Sequence, residues 1–269
     1  MIKKIIKKKS LGQNFLRDKG ILQKIADFAQ IDKEDVVVEV GPGEGSLTEF
    51  LLEKAKKVIA IEKDERMVEF LKEKFKKEIE KEKLEVIEGD ILNLQDFYQV
   101  SEYILVGNIP YYITGALFKK FLENPPAGGP PKSITFVVQK EVAERIMAKD
   151  GKESILSISV KVYGQPEYGD IIKAGSFNPK PKVDSAIISI REISKENFKG
   201  VSEKKFFEIL KTGFAHKRKM LIRNLEKVSK AAFDTPRLKE IFEKCGISEK
   251  ARAENLSVEN WVCLTKELI

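Results

Sequence analysis

Histidine and cysteine are nearly absent from this 269-residue chain, and their scarcity excludes several kinds of active site. His216 is its only histidine, so we expect neither a metal centre nor a catalytic triad built on histidines. Cys245 and Cys263 lie far apart and form no CxxC pair. We therefore expect free thiols in a reducing compartment, with a disulfide or metal pair as the minority alternative. Because the sequence also lacks a long apolar run, we expect neither a signal peptide nor a membrane span, and we place the protein in the cytoplasm.

Positive charge is concentrated at the two ends of the chain, which has a net charge of +7. Residues 1–9 carry five lysines and no acidic residue, and residues 195–269 carry 17 Lys and Arg against 11 Asp and Glu. A basic end is typical of proteins that bind a phosphate backbone, although a solvated lysine-rich surface has the same composition. The abundance of Lys and Glu over Asn and Gln favours a thermophilic source.

Strand and helix patterns alternate through the first 193 residues. Such alternation is typical of a mainly parallel sheet with helices on both faces, so we predict an α/β, Rossmann-like domain with a seven-stranded sheet over residues 1–193. The strands are predicted at 35–40, 57–64, 84–90, 103–108, 134–139, 168–177 and 185–193, and helices at 18–29, 47–55, 140–149 and 153–163.

After residue 193 only helical periodicity remains, and we predict a small all-helical C-terminal domain over residues 194–269. Thr235-Pro236 is expected to begin one helix that stops at Gly246, and Ser257 is expected to cap another. The apolar faces comprise Phe206, Leu210, Phe214, Leu221, Leu225, Val228, Leu238, Ile241, Phe242, Trp261, Leu264 and Leu268.

A glycine-rich turn, EVGPGEGSLT, separates the first predicted strand from its helix. Gly41, Gly43 and Gly45 allow a sharp turn and the close approach of a ligand. Their GxGxG spacing differs from the GxGxxG of dinucleotide sites, so the turn alone is a weak indication of nucleotide binding.

Acidic residues end the next two predicted strands. Glu62 could accept hydrogen bonds from the hydroxyls of a ribose, and Asp90 could accept from the exocyclic amine of an adenine. Either residue alone could be a solvated acid at a strand end. With the glycine-rich turn, however, they form the layout of a class I methyltransferase, which predicts S-adenosylmethionine as the cofactor.

The segment VGNIPYYIT places an amide, a proline and a tyrosine at the end of the fourth strand. The exocyclic amine of adenine is a poor nucleophile, and two acceptors, Asn108 Oδ1 and the Ile109 carbonyl, could direct its lone pair towards a methyl donor. Pro110 fixes φ and stiffens the turn. Tyr111 could stack on a base flipped out of its helix. The alternative is a strand-to-helix turn with Asn108 as a cap and Tyr111 in the core; Tyr112 is interpreted as a packing residue.

Together these motifs make the sequence resemble the KsgA/Erm family of rRNA adenine-N6 dimethyltransferases, and the KsgA branch most closely. NIPY narrows the choice to methylation of an amino group, and GQNFL, PKPKVDSA and RAENLS together are highly specific. The resemblance covers nearly the whole chain and rests on SLGQNFL (10–16), EVGPGEGSLT (39–48), IEKD (61–64), GNIPY (107–111), VVQKEVAERI (137–146), SFNPKPKVDSA (176–186), HKRKMLIRNL (216–225) and ARAENLS (251–257).

The resemblance implies dimethylation of N6 on two adjacent adenosines near the 3′ end of small-subunit (16S) rRNA, within an immature ribosomal subunit. The alternatives are an Erm-type enzyme acting on large-subunit rRNA, and a ribosome-assembly binding factor in which catalysis is secondary. The implied site residues are Asn14 and Leu16 at the cofactor, Gly41 at its methionine end, Glu62 at the ribose, Asp90 at the adenine, Asn108 at both cofactor and target, and Tyr111 and Phe177 against the target base. The alternative for Phe177 is a core aromatic residue that seals a loop.

Cations recur on one face of a predicted helix in the C-terminal domain. A helix that packs through one apolar face and presents cations on the other could contact RNA phosphates, although a solvated amphipathic helix is the alternative. No surplus apolar face is evident, so we expect a monomer. The cations on this face are Lys219, Arg223, Lys227 and Lys230, and Lys217 and Arg218 extend the stripe.

Overall fold

The computed structural model describes residues 14–94, 102–226 and 235–268. Within these ranges the chain divides into two compact units. The first comprises residues up to 143 together with 165–193, and the second comprises 144–164 together with the residues from 194 onward. None of the described helices combines the length and the apolar character needed to cross a membrane.

The first unit is built on a seven-stranded sheet, which confirms the predicted α/β fold. Five of its strands run parallel to their neighbours, and the last two pair antiparallel. This sheet has the strand order β4-β3-β2-β5-β6-β9-β7, and β1 and β8 lie outside it. The strands of the described residues are β1 (Phe15–Leu16), β2 (Val36–Val40), β3 (Lys57–Glu62), β4 (Leu84–Glu88), β5 (Ile104–Asn108), β6 (Ser133–Gln139), β7 (Gln165–Ile172), β8 (Phe177–Asn178) and β9 (Ser185–Arg191).

The helices include counterparts of those predicted, together with two short helices, at 76–80 and 114–118, that were not predicted. In the first part of the chain they are α1 (Lys19–Phe28), α2 (Ser46–Lys54), α3 (Glu65–Lys74), α4 (Lys76–Glu80), α5 (Thr114–Phe118) and α6 (Lys140–Met147). The remainder are α7 (Ile155–Lys161), α8 (Glu203–Gly213), α9 (Leu221–Leu225), α10 (Thr235–Lys244) and α11 (Val258–Glu267).

The order of the strands reverses beside β2, and this reversal positions the site. From β2 the chain proceeds to β3 and β4 on one side and then returns to β5 on the other side. The central strands are rich in buried β-branched residues, because helices cover both faces of such a sheet. The carboxyl ends of β2 and β5 therefore flank a crevice of the kind that binds ligands in open α/β sheets.

A small second sheet was not predicted. In it β1 pairs antiparallel with β8, so that Leu16 lies opposite Phe177. The strand predicted at 168–177 instead ends at Ile172 and is followed by a short 3₁₀ turn, in which the Ala174 N–H donates to the Asp184 carboxylate at 2.9 Å. The interruption frees residues 177–178 to pair with the N-terminal segment.

The second unit packs its helices around Trp261, which is fully buried. The Trp261 ring stacks on Phe214 with the ring centroids 5.7 Å apart. A Cβ at Gly213 would lie 2.4 Å from the Trp261 ring, so the close approach of α8 to this ring requires glycine. Ser202 and Ser257 cap the N-termini of α8 and α11 through their side chains.

Residues 144–164 belong to the second unit, whereas the domain boundary predicted after residue 193 left them in the first. Aromatic packing explains the difference, because the centroid of the Tyr163 ring lies 5.2 Å from that of Phe198 and 6.3 Å from that of Phe207. The Tyr163 hydroxyl also donates to the carboxylate of Glu203, which stands in the first turn of α8.

Cys245 and Cys263 form a disulfide, and the expectation of free thiols was wrong. Cys245 directly follows α10, and Cys263 lies within α11. The two residues are 18 positions apart, and only the packing of the two helices brings them together. Spacing in the sequence therefore gave no indication of the bond.

We expect reduction of this disulfide to lower the thermal stability of the second unit. Closing a loop of this length restricts the unfolded chain and stabilises the fold by about 3 kcal/mol. Calorimetry should show a lower melting temperature after addition of a reductant. The double variant Cys245→Ser/Cys263→Ser should melt at the lower temperature whether or not reductant is present. Two titratable thiols in the unreduced, denatured protein would contradict the bond.

Candidate active site

A single cavity at the carboxyl edge of the sheet collects nearly all of the predicted site residues of the first unit. It is walled by the turns after β2, β3 and β5, by the segment after β4 and by the N-terminal segment around β1. Gly45 and Phe177 are not among its lining residues. The predicted residues that do line it are Asn14, Leu16, Gly41, Gly43, Glu62, Asp90, Asn108, Ile109, Pro110 and Tyr111.

The glycine-rich turn forms the floor of this cavity. Gly41 has a φ of +65°, and a Cβ built on it would meet nothing within 4 Å, so open space lies above its backbone. Gly43 has a φ of +56°, and a Cβ there would lie 2.6 Å from the Phe15 ring. Glycine is required at Gly43 both by its conformation and by this contact. The turn thus leaves room for a ligand over Gly41 and packs β1 against Gly43.

Glu62, at the end of β3, is only 6% exposed. One of its carboxylate oxygens accepts from the Gly43 N–H at 3.0 Å, and the other accepts from the Asp64 N–H at 2.9 Å. Burial raises the pKa of Glu62 above its usual value, although these backbone bonds act in the opposite direction. The side chain therefore both fixes the glycine-rich turn and lies on the wall of the cavity.

A second buried acid, Glu39, was not predicted as a site residue. It is 1% exposed, and its Oε2 accepts from the Thr48 hydroxyl at 2.6 Å. Burial raises the pKa of Glu39 to about 8, and the nearby charge of Glu62 acts in the same direction. The signal in the sequence was an acid inside the otherwise apolar strand VVVEV. Glu39 also lines the cavity, so a carboxyl that holds its proton at neutral pH lies beside the glycine-rich turn.

Asp90 lies near the outer end of the cavity and stays ionised. Partial burial opposes ionisation, but the hydrogen bonds from the Lys63 ammonium and the Leu92 N–H together lower the pKa of Asp90. These donors lie 2.7 and 3.0 Å from its oxygens. Lys120 donates to the carbonyls of Leu92 and Leu94 and so holds the segment that follows Asp90.

Asn108 ends β5 and joins two distant parts of the chain. Its Nδ2 donates to the backbone carbonyl of Asn14 at 3.0 Å. This bond uses one of the two N–H donors of the amide and leaves Oδ1, in the described part of the chain, as a free acceptor. A Cβ on the preceding Gly107 would lie 2.7 Å from the Val40 carbonyl, so glycine allows β5 to lie close to the end of β2.

Pro110 and Tyr111 line the cavity next to Asn108 and Ile109. Pro110 has a φ of −59°, and its carbonyl accepts from the Ile113 N–H at 3.2 Å, closing a 3₁₀ turn over Tyr111–Ile113. The Tyr111 hydroxyl lies 2.7 Å from the Ser185 hydroxyl. Burial raises the pKa of Tyr111, although the Ser185 bond acts against it. The sequence did not predict that Lys63 would pair with Asp90, or that Ser185 would contact the Tyr111 hydroxyl.

Two aromatic residues differ from their predicted positions. Phe177 is 4% exposed and belongs to the hydrophobic core of the first unit, where β8 pairs with β1. Tyr112 was interpreted as a packing residue, and this was wrong. It is 68% exposed and lies on the rim of the cavity, because the 3₁₀ turn directs it away from the core.

Among the described residues, Lys219 lies outside the helix on which the cationic stripe was predicted. Lys219 lies in a turn before α9, which begins only at Leu221, and its N–H donates to the His216 carbonyl. The Asn224 side chain stabilises this turn by donating to the carbonyls of Gly213 and His216. Lys217 and Arg218 are exposed in the same turn, Arg223 pairs with Glu226 at 3.1 Å, and Lys227 and Lys230 lie outside the described residues.

Comparison with known proteins shows the family to which this chain is similar. The family described as "Ribosomal RNA adenine dimethylase" matches residues 5–269. The chain is 40% identical over 262 residues to the "Ribosomal RNA small subunit methyltransferase A" of Dehalococcoides mccartyi (strain CBDB1), covering 96% of this chain and 87% of that protein.

Two solved structures are similar over almost their whole length. A dimethyladenosine transferase from Plasmodium falciparum has a TM-score of 0.77 and 31% identity, and the match covers 93% of this chain and 95% of that one. The 23S rRNA methyltransferase ErmE has a TM-score of 0.75 and 26% identity, and the match covers 95% of this chain and 99% of that one.

The raised pKa of Glu39 gives a prediction about stability and pH. The carboxyl titrates near 4.5 when unfolded and at about 8 in the fold. Between these values the folded state holds a proton that the unfolded chain has lost, so stability falls as pH rises, by up to about 1.4 kcal/mol per pH unit. The variant Glu39→Gln cannot ionise. Its stability relative to the wild type should therefore increase from pH 5 to pH 8, as measured by urea unfolding without cofactor.

A matched control is Glu34→Gln, because the Glu34 side chain is 85% exposed. Its stability difference from the wild type should stay within a few tenths of a kcal/mol, about the size typical of surface substitutions, at every pH. If Glu39→Gln differed from the wild type by the same amount at pH 5 and at pH 8, the protonated state assigned to Glu39 would be incorrect.

Proposed function

This chain belongs to the ribosomal RNA adenine dimethylase family, and we propose that it dimethylates N6 of two adjacent adenosines near the 3′ end of small-subunit (16S) rRNA, with S-adenosylmethionine as the methyl donor. One observation carries the proposal. The amide of Asn108 and the carboxylates of Glu62 and Asp90 line the same cavity, so a nucleoside cofactor and a target amine could be held side by side.

The residues of the cavity fit S-adenosylmethionine. Gly41 and Gly43 would approach its methionine end, where open space lies above Gly41. Glu62 would accept from the ribose hydroxyls, and Asp90 from the exocyclic amine of the adenine. When bound, this cofactor supplies an electrophilic methyl group on a sulfonium. The cavity is also lined by Asn14 and Leu16, which would contact the cofactor from the N-terminal segment.

Asn108 and Ile109 would orient the target amine. Asn108 Nδ2 is already engaged by the Asn14 carbonyl, which fixes the amide and leaves Oδ1 to accept one N–H of the adenine amine. The Ile109 carbonyl would accept the other N–H, and the lone pair would then point at the methyl group. Positioning of this kind can accelerate transfer without a base that removes a proton beforehand.

Pro110 and Tyr111 would support the flipped base. Pro110 stiffens the backbone that carries the Ile109 carbonyl. The Tyr111 ring is fixed at its hydroxyl by Ser185, so it can serve as a rigid stacking surface. Phe177 would act behind this surface, because it is buried next to Leu16 rather than exposed in the cavity.

The second unit would contribute phosphate contacts. Lys217, Arg218 and Lys219 are exposed together in one turn, and three cations in one turn form a local site for an RNA backbone. Arg223 would contribute less while it is paired with Glu226. Lys227 remains a predicted RNA contact outside the described residues.

The proposed substrate is an immature small ribosomal subunit, on which the protein would act as a monomer in the cytoplasm. The likeness to ErmE supports a second candidate, which is methylation of large-subunit rRNA. Incubation with labelled cofactor and unmethylated small or large subunits separates the two. Labelled dimethyladenosine in the small-subunit RNA supports the proposal, label in large subunits supports the second candidate, and binding without label favours an assembly factor.

Asn108→Ala should reduce methyl transfer by roughly a hundredfold or more, because misplacing a reacting group is costly to the rate. Transfer to small subunits can be followed with labelled cofactor, and circular dichroism should show an unchanged fold. Activity within about tenfold of the wild type would refute the acceptor role of the amide.

Glu62→Ala is the comparison variant, and it should act at an earlier step. Loss of the carboxylate removes the proposed ribose acceptor and the bond to Gly43, so calorimetry should show weaker cofactor binding. If Glu62→Ala bound the cofactor as tightly as the wild type, the ribose assignment would fail.

Reversal of the basic turn, Lys217→Glu/Arg218→Glu/Lys219→Glu, should weaken binding to small subunits. The slope of log affinity against log salt should also become less steep, by about 0.7–0.9 for each phosphate contact that the variant loses. Filter binding at several salt concentrations measures both effects.

The control carries the same change in charge at other exposed lysines of the second unit, in the variant Lys199→Glu/Lys205→Glu/Lys239→Glu. We expect a much smaller change in slope for this variant. Equal slopes for the two triple variants would show that the turn makes no specific contact.

A further inference from the structure

Tyr112 is the most exposed of the described large hydrophobic residues, with 68% of its surface accessible. It is nevertheless on the rim of the cavity that contains the proposed active site. Exposed aromatic rings at such positions commonly mark a binding surface, since they expose apolar area that a partner can cover.

The turn that carries Tyr112 separates it from Tyr111. Both residues belong to the same 3₁₀ turn, in which successive side chains point about 120° apart. Tyr111 is half-buried and fixed to Ser185, while Tyr112 extends into solvent. The two rings therefore offer one surface inside the cavity and one at its entrance.

Exposed lysines lie on two elements connected to this cavity. Lys63 lines the cavity together with Tyr112, and its ammonium pairs with the Asp90 carboxylate at 2.7 Å. Lys180 and Lys182 are exposed in the loop that ends at Ser185, the residue whose hydroxyl contacts Tyr111. An aromatic ring accompanied by cations is the combination with which proteins bind single-stranded nucleic acid.

We propose that Tyr112 is a stacking surface for the base next to the target adenine in the RNA strand. This inference rests on the proposed function. Flipping the target base removes a stacking partner from its neighbour, and a ring at the entrance of the cavity can replace that partner. We assign the ring to the strand rather than to the cofactor because it lies on the rim of the cavity and is mostly in solvent.

The neighbouring base is itself an adenine when two adjacent adenosines are modified. Purines offer a large stacking surface, so Tyr112 would hold one adenine at the entrance while the other is in the cavity. Tyr112 is therefore a positioning residue for the strand, distinct from the residues that contact the reacting amine.

The test compares Tyr112→Ala, Tyr112→Phe and Tyr112→Trp in the full chain, with unmethylated small subunits as substrate. Tyr112→Ala should raise KM by roughly five- to a hundredfold, the factor that corresponds to losing one stacked base. Its kcat and its calorimetric affinity for S-adenosylmethionine should be unchanged. The Phe and Trp variants should retain a KM near that of the wild type. Ile171→Ala, which truncates another exposed apolar side chain, should have no effect.

Three results would overturn the inference while leaving the proposed function intact. These are an unchanged KM in Tyr112→Ala, a KM as poor in the Phe and Trp variants as in Tyr112→Ala, and a loss of cofactor affinity equal to the rise in KM. The last result would assign the ring to the adenine of the cofactor.

If the wild type transferred no methyl groups to small subunits, the proposed function would fail, and a second readout would decide the stacking role. The fluorescence of Tyr112→Trp should be quenched by an adenine-rich single-stranded RNA oligonucleotide, because the new indole would stack on a base. Trp261 is buried and gives a constant background. Absence of quenching at saturating RNA would overturn the inference.

Discussion

The hydrogen bond from Asn108 Nδ2 to the Asn14 carbonyl is the contact on which the geometry of the site depends. It fixes the amide at the end of β5 and at the same time ties down the N-terminal segment. That segment then packs Phe15 against Gly43, whose N–H is held by Glu62. The parts of the cavity proposed for the cofactor and for the target base are thus joined by these contacts into one connected structure.

Charge is distributed unevenly along the cavity, and burial is the cause. Glu39 and Glu62 are almost completely buried, and burial raises the pKa of both. Asp90 is paired with Lys63 near the solvent and remains a carboxylate. Two acids can therefore lie side by side in the interior because at least one of them, Glu39, is neutral at pH 7. The two backbone N–H groups that donate to Glu62 compensate much of the free-energy cost of burying its carboxylate.

The features that the sequence predicted are those set by local pattern. The strands, the glycine-rich turn and the order of Glu62, Asp90 and Asn108 along the sheet edge follow from short apolar runs and from the parallel topology. The features it did not predict depend on contacts between distant segments. Phe177 is buried because β8 pairs with β1, and Lys219 leaves the helix because Asn224 caps a turn before it. No periodicity in the sequence encodes either contact.

The disulfide and the composition lead to the same conclusion about the environment of the protein. The expectation of free thiols was based on a reducing cytosol, where disulfides are rare. Intracellular proteins of hyperthermophiles retain disulfides, and their sequences are rich in Lys and Glu and poor in Asn and Gln, as this one is. Cys245–Cys263 joins the end of α10 to α11, the helix that carries the fully buried Trp261. The same composition that favoured a thermophilic source therefore already weakened the expectation of free thiols, because an internal disulfide is not exceptional in such proteins.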